Sequence, residues 1–172
     1  DILKAVSKET TLRFGKNAFT ADLPAKVKEA GFEGTVTFAF DPFAEAVVTG
    51  KLTSTEEWVA IKKALPANFT ALSVNADVYG DAGSKITEQL AYALATGNEY
   101  LGKAEELGKT VEEVAKAIVF NFSIGSEYFP ELAKIRAFRL VWAKVLEEYE
   151  AGLSEKAPAT VFAKTSYWNK TV

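Results

Sequence analysis

The spacing of hydrophobic positions along this 172-residue chain changes period several times, and each change marks an element. Gly34-Thr-Val-Thr-Phe-Ala-Phe40, Phe69-Thr-Ala-Leu-Ser-Val-Asn-Ala76, Ile118-Val-Phe-Asn-Phe122 and Thr160-Val-Phe-Ala-Lys164 are short runs rich in β-branched and aromatic residues, and they predict strands. Thr11-Leu-Arg-Phe14 predicts a shorter one. Between these runs the period lengthens to that of a helix. Asn17 to Gly31 has Pro24 near its start and Gly31 just past its end. Asp41-Pro42 stops a strand and precedes a short helix from Phe43 to Val48. Ser54 and Glu57 form a capping box for a helix that ends before Pro66. Asp77 to Gly83 reads as a loop, and Ser84 as the cap of a helix with Ile86, Leu90, Ala93, Leu94, Gly97 and Leu101 on its inner face. Thr110 and Glu113 form a second capping box.

The longest periodic stretch opens after Ser126, a candidate cap, and runs to Tyr149, with Gly152 closing it. Tyr128, Leu132, Ile135, Phe138, Trp142, Val145, Leu146 and Tyr149 share one wide face. Glu131 and Arg139 interrupt it. A bare charge in a core is costly, so each needs a partner, either in a structural ion pair or in a cleft.

Strands alternating with helices imply parallel strands joined by crossovers. The fold class is therefore α/β, a partial (β/α)8 TIM-barrel-like unit of one domain over residues 1–172. A flavodoxin-like open sheet is the alternative, but no Gly-rich phosphate loop follows the first strand.

Composition narrows the chemistry. Histidine and cysteine are absent, which removes imidazole bases, thiol nucleophiles and Ser-His or Cys-His pairs. A net charge of −3 with no basic run argues against nucleic acid. Apolar runs are too short for a membrane span and no signal peptide is visible, so a cytoplasmic location is expected. Methionine is absent even from position 1, and the repeat pattern favours a piece of a longer chain.

In parallel α/β folds, ligands bind beyond the carboxyl ends of the strands. Asp41-Pro-Phe43, Asn75-Ala-Asp-Val-Tyr79, Asn121-Phe-Ser123 and Lys164-Thr-Ser-Tyr-Trp168 occupy that position, and Asn75, Asp77, Tyr79, Lys164 and Tyr167 are the candidate cleft residues. Asn75 and Asp77 point the same way, and Lys164 can meet them across the mouth. A lysine there acts as an acid, a base or a Schiff-base former if its pKa is lowered, or else forms an ordinary ion pair. Asp77 and Asp81 could share a hard cation, although few further oxygens are on offer. Tyr79, Tyr167 and Trp168 could stack on a flat ligand or pack the top of the barrel.

Asp81-Ala-Gly83, Gln89-Leu-Ala-Tyr-Ala-Leu-Ala95 and Glu99-Tyr-Leu101 are followed by Phe122-Ser-Ile-Gly125, Glu131-Leu-Ala-Lys-Ile-Arg-Ala-Phe-Arg-Leu-Val-Trp-Ala143 and Thr165-Ser-Tyr-Trp168. Together they resemble the methylmalonyl-CoA mutase family, in register over about residues 70 to 170 and loosely before that. The resemblance implies an eight-stranded barrel around an acyl-CoA, with adenosylcobalamin in the whole enzyme held by a separate domain. In the family the first two segments read Glu-Ala-Gly and Glu-Leu-Ala-Tyr-Thr-Leu-Ala. Catalytic members also carry Gly-Tyr-His-x-Gln-Glu-Ala-Gly where this chain has Ala76-Asp-Val-Tyr-Gly-Asp-Ala-Gly83, so Val78 stands in place of the substrate-facing His. Thr160-Val-Phe-Ala-Lys164 replaces Arg-Thr-His-x-Gln, Tyr167 replaces a Gly and crowds the cleft, and the cobalamin-ligating Asp-x-His-x-x-Gly is missing.

This pattern resembles the non-catalytic small subunit that stabilises a catalytic large mutase subunit. It implies no catalytic residue, no metal site and no cofactor bound by this chain alone. The alternatives are a catalytic segment of an acyl-CoA mutase, or an unrelated α/β enzyme using Lys164 and Asp77. A half barrel with open edges is also expected to self-associate.

Overall fold

The computed structural model of the chain describes residues 7, 10–14, 23–38, 41–51, 69–70 and 72–170. Its elements are β1 (Leu12–Phe14), α1 (Leu23–Glu29), β2 (Val36–Phe38), α2 (Pro42–Thr49), β3 (Phe69–Thr70), β4 (Leu72–Asn75), α3 (Asp77–Asp81), α4 (Ile86–Gly102), α5 (Val111–Ala117), β5 (Ile118–Ile124), α6 (Tyr128–Tyr149), α7 (Leu153–Lys156) and β6 (Thr160–Thr165), then a 3-10 turn at Tyr167–Asn169. All described strand pairs are parallel. The sheets run β1-β2-β3 and β4-β5-β6, each in chain order, as in successive β/α units of a barrel. The helix expected after Ser54 lies outside the described residues.

β5 organises the second sheet. It pairs with β4 from Leu72↔Ile118 to Asn75↔Asn121 and with β6 from Val119↔Thr160 to Ile124↔Thr165. Six of its seven residues are buried, as a strand covered on both faces requires. Phe120 meets Phe138 at 4.5 Å and Trp142 at 4.8 Å between ring centroids, and Phe122 meets Phe138 at 5.0 Å. α4 packs on the same core. A Cβ on Gly97 would stand 2.8 Å from Trp142 and 2.9 Å from Phe120, so only glycine lets this helix approach.

α6 differs from the expected stripe. Phe138, Trp142 and Leu146 are buried, but Tyr128, Leu132 and Tyr149 are exposed, and so is Arg139. The buried charges are Glu131 and Lys134, set three residues apart on one face. Arg139 therefore needs no core partner.

The caps also differ in part. Thr110 and Glu113 form the expected box, with reciprocal bonds of 2.8 and 3.1 Å. α4 instead starts after Lys85, whose N–H donates to Glu88 at 2.8 Å, while the buried Ser84 hydroxyl has no partner among the described residues. α6 starts after Glu127 rather than Ser126. Gly152 has φ +78, but it follows the end of α6 and opens α7. The stretch after Ala76 is no loop: its carboxylate-bearing residues wind into α3, so Asp77 and Asp81 lie one turn apart.

Candidate functional site

The carboxyl ends of β4, β5 and β6 bring the sequence-predicted residues into two groups and leave Tyr79 apart from both. In the first, the Lys164 ammonium lies 2.8 Å from Asp77 and 2.9 Å from Asp81, so it fills the place where a shared cation would sit. Asp81 also accepts from the Ser166 hydroxyl and the Tyr167 N–H, each at 3.1 Å. Partial burial alone would lower the Lys164 pKa, but the two carboxylates outweigh it and push it up to about 12. That is the opposite of what a lysine base or Schiff-base nucleophile needs. Burial alone would likewise raise Asp81, yet Lys164, the Tyr167 N–H and Ser166 hold it below the usual carboxylate range. The Tyr167 ring sits 4.5 Å from the Lys164 ammonium, and Tyr167 is exposed. Trp168 is anchored by its indole N–H on the Asp81 carbonyl at 3.2 Å.

The second group holds Asn75. Its side-chain oxygen accepts from Asn121 at 2.6 Å, and Arg13 of β1 donates to the other end of Asn121. Arg13 also lies 4.4 Å over the Phe162 ring. Burial pulls the Arg13 pKa below its usual value, against the pull of Asp77. Thus a residue of the first sheet reaches the middle strand of the second.

Behind Asn75, the buried Asp41 accepts from the Asn75 N–H at 2.6 Å, the Tyr100 hydroxyl at 2.7 Å and the N–H groups of Phe43 and Ala44. Its pKa is raised because burial outweighs these donors. Tyr79 belongs to neither group. Its ring packs on Tyr92 at 4.7 Å, and burial raises its pKa.

A cleft of about 530 Å3 opens beside these groups, between the amino ends of α4 and α6. None of Asn75, Asp77, Tyr79, Lys164 or Tyr167 lines it. Its floor is a polar chain that the hydrophobic pattern did not reveal. The Lys134 side chain is only 1% exposed and its ammonium donates to Gln89 Oε1 at 2.6 Å and to the Ser123 carbonyl at 2.7 Å. Glu131 Oε2 stands 2.6 Å from that ammonium, close enough for charge attraction but not aligned as a hydrogen bond. The other oxygen of Glu131 accepts from the Gly125 N–H at 2.9 Å. The Gln89 amide donates to the Ala76 carbonyl at 3.0 Å and to the Ser123 hydroxyl at 2.7 Å.

This chain needs an empty neighbour. A Cβ on Gly80 would stand 2.0 Å from the Ser123 hydroxyl and 2.1 Å from the Gln89 amide nitrogen. The available sequence signal was the Glu131–Lys134 spacing, which places a pair of opposite charges on one helix face.

Comparison with known proteins gives this geometry a context. The family model described as methylmalonyl-CoA mutase matches residues 38–172. The chain belongs to the methylmalonyl-CoA mutase family. The match begins well before residue 70, where the in-register likeness of motifs starts. The methylmalonyl-CoA mutase small subunit of Porphyromonas gingivalis is 42% identical over an alignment of 161 positions, and the match covers 86% of this chain and 25% of that protein. The small subunit of Propionibacterium freudenreichii is 31% identical over 75% of this chain and 20% of its own length. The large subunit from Streptomyces virginiae is 33% identical over 60% of this chain and 14% of its own. The chain therefore spans about a quarter or less of the mutases it matches. Among the described residues, no helix is long and apolar enough to cross a membrane.

Proposed function

We propose that this chain is part of a non-catalytic small subunit of methylmalonyl-CoA mutase, and that it stabilises the catalytic large subunit. The whole enzyme would interconvert methylmalonyl-CoA and succinyl-CoA with adenosylcobalamin. One observation carries the reading: most polar side chains at the strand ends are engaged with one another, although Asp77 Oδ1 is buried without a hydrogen-bond partner among the described residues. Lys164 is held by Asp77 and Asp81, Gln89 and Ser123 fill the space beside Gly80, and Arg13, Asn121 and Asn75 are bonded in series. Val78 stands where the resemblance puts the substrate-facing His, and it offers neither a proton nor a hydrogen bond. The longer matches to small subunits than to a large one point the same way.

The donor set does not fit cobalt ligation. The chain has no imidazole or thiol, and the amine nearest the strand ends is held protonated between two carboxylates. Asn75, Asp77, Tyr79, Lys164 and Tyr167 are thus a degenerate remnant of a substrate-facing rim.

The test is an anaerobic assay with methylmalonyl-CoA and adenosylcobalamin. The purified protein alone should give no succinyl-CoA, and the large subunit should melt at a higher temperature in its presence. Turnover by the protein alone would overturn the non-catalytic assignment. An unchanged melting temperature of the large subunit would overturn the stabilising one.

A further inference from the structure

Asp41 is a buried carboxylate that the proposed function does not use. It is 4% exposed and stands where three elements join. One oxygen caps α2, accepting from the Phe43 and Ala44 N–H groups at 3.1 and 3.2 Å, and also accepts from the Tyr100 hydroxyl of α4 at 2.7 Å. The other accepts from the Asn75 N–H at the end of β4 at 2.6 Å. The Phe43 and Tyr100 rings, 5.4 Å apart, close the same joint.

Among the described residues no lysine or arginine pairs with Asp41. The titratable groups that face it are two phenols, Tyr100 and Tyr79. Glu45 follows one turn later on α2, and β4 carries no titratable side chain. Glu99 of α4 is turned outward to Lys103, and Asp77 and Asp81 of α3 are turned to Lys164.

The donors around Asp41 are of two kinds. The three N–H groups can only donate, so each needs a bare lone pair, whereas a tyrosine hydroxyl can donate or accept. A proton arriving at Asp41 therefore fits on one side only. It sits on the oxygen that faces Tyr100 and is donated to the phenol oxygen, whose own hydrogen turns away. The acid still accepts from the N–H groups and no longer holds an unpaired charge out of water.

We propose that Asp41 and Tyr100 form a proton-tightened clasp that docks α2 on the second sheet, so that uptake of one proton makes opening of this joint rarer. Opening lets water reach the carboxylate and returns it to its ordinary range. In the closed joint burial outweighs the donors and holds its pKa above that range. The closed form thus binds the proton more tightly than the open one. The added stability is complete at low pH and is lost as pH rises through the raised pKa.

The test uses the protein expressed from its complete gene. Amide hydrogen exchange of residues 41–50 is followed by mass spectrometry from about pH 7 down to about pH 4, corrected for the intrinsic pH dependence of exchange, with β5 as the reference segment. The opening equilibrium of α2 should fall by up to about tenfold per pH unit through the acid window, the linkage of one proton. β5 should not share this slope. Asp41→Asn keeps a capping oxygen and should erase the slope. Tyr100→Phe keeps the charge and the burial but cannot accept the proton, and should flatten it.

A flat wild-type profile, or acid that makes opening more frequent, would overturn the clasp. A slope that survives in Asp41→Asn would overturn it too, since another group would then own it. The same slope in β5 would assign the effect to unfolding of the whole molecule. A full slope in Tyr100→Phe would overturn the part given to Tyr100.

Discussion

Replacing Lys134 by Met tests the buried polar chain most directly. Methionine keeps the length and flexibility of the stem and removes the ammonium, with its charge and its donors. The ammonium has three neighbours: Gln89 Oε1 at 2.6 Å, the Ser123 carbonyl at 2.7 Å and Glu131 at 2.6 Å. Its loss leaves Glu131 with only the Gly125 N–H and strips Gln89 Oε1 of that donor. Breaking a buried ion pair from one side costs about 3–5 kcal/mol, mostly from the charge left behind. For a chain of this size that corresponds to a fall in Tm of roughly 6–20 °C.

Urea unfolding of Lys134→Met should show this loss with little change in m-value. Adding Glu131→Gln should recover part of it, because the orphaned charge disappears, so the two single losses should exceed the loss in the double variant. A Lys134→Met variant within about 1 kcal/mol of wild type, or strict additivity with Glu131→Gln, would refute the pairing.

Trp142→Ala should cost about 3–5 kcal/mol in the same assay, the range for a large aromatic lost from a core. Gly97→Ala should destabilise, because about 1–3 kcal/mol of overpacking against Trp142 and Phe120 exceeds the helix-propensity gain of about 1 kcal/mol. The pKa of Lys164 is raised from 10.5 to about 12, so its contribution is complete below pH 10.5 and is lost as pH rises through about 12. The stability gap between wild type and Lys164→Met, measured by unfolding at stepped alkaline pH, should therefore shrink across that window. Val78→His alone should give no turnover in the anaerobic mutase assay, since Lys164 stays clamped and no second His is present.

The strands were legible because β-branched runs such as Ile118 to Phe122 carry no competing helical period. The parallel order followed from the strict alternation of elements. The rim residues were legible as positions at strand ends, and the contact of Lys164 with Asp77 was anticipated. The division of that rim into separate clusters was not, because it depends on Arg13 crossing between sheets and on Asp41 reaching back to Asn75. The face of α6 was misread at its first turn. Tyr128 and Leu132 fit the apolar period but are exposed, as is Tyr149 at the far end, while Glu131, between Tyr128 and Leu132, is buried. Lys134 was passed over because a period count scores a lysine as outward-facing, although Glu131 one turn earlier supplies the countercharge.

The empty position at Gly80 ties two distant residues together. The resemblance drawn from the sequence implies a glutamine at this position in catalytic members and a glutamate where this chain has Gln89. Here the Gln89 amide, locked to the Ala76 carbonyl and the Ser123 hydroxyl, stands 2.1 Å from where any Cβ at position 80 would begin. A Cβ at position 80 would displace the Gln89 amide and the Ser123 hydroxyl and so break hydrogen bonds of the buried chain, while shortening residue 89 alone would abandon two of them. Positions 80 and 89, nine residues apart in sequence, therefore behave as one packing unit.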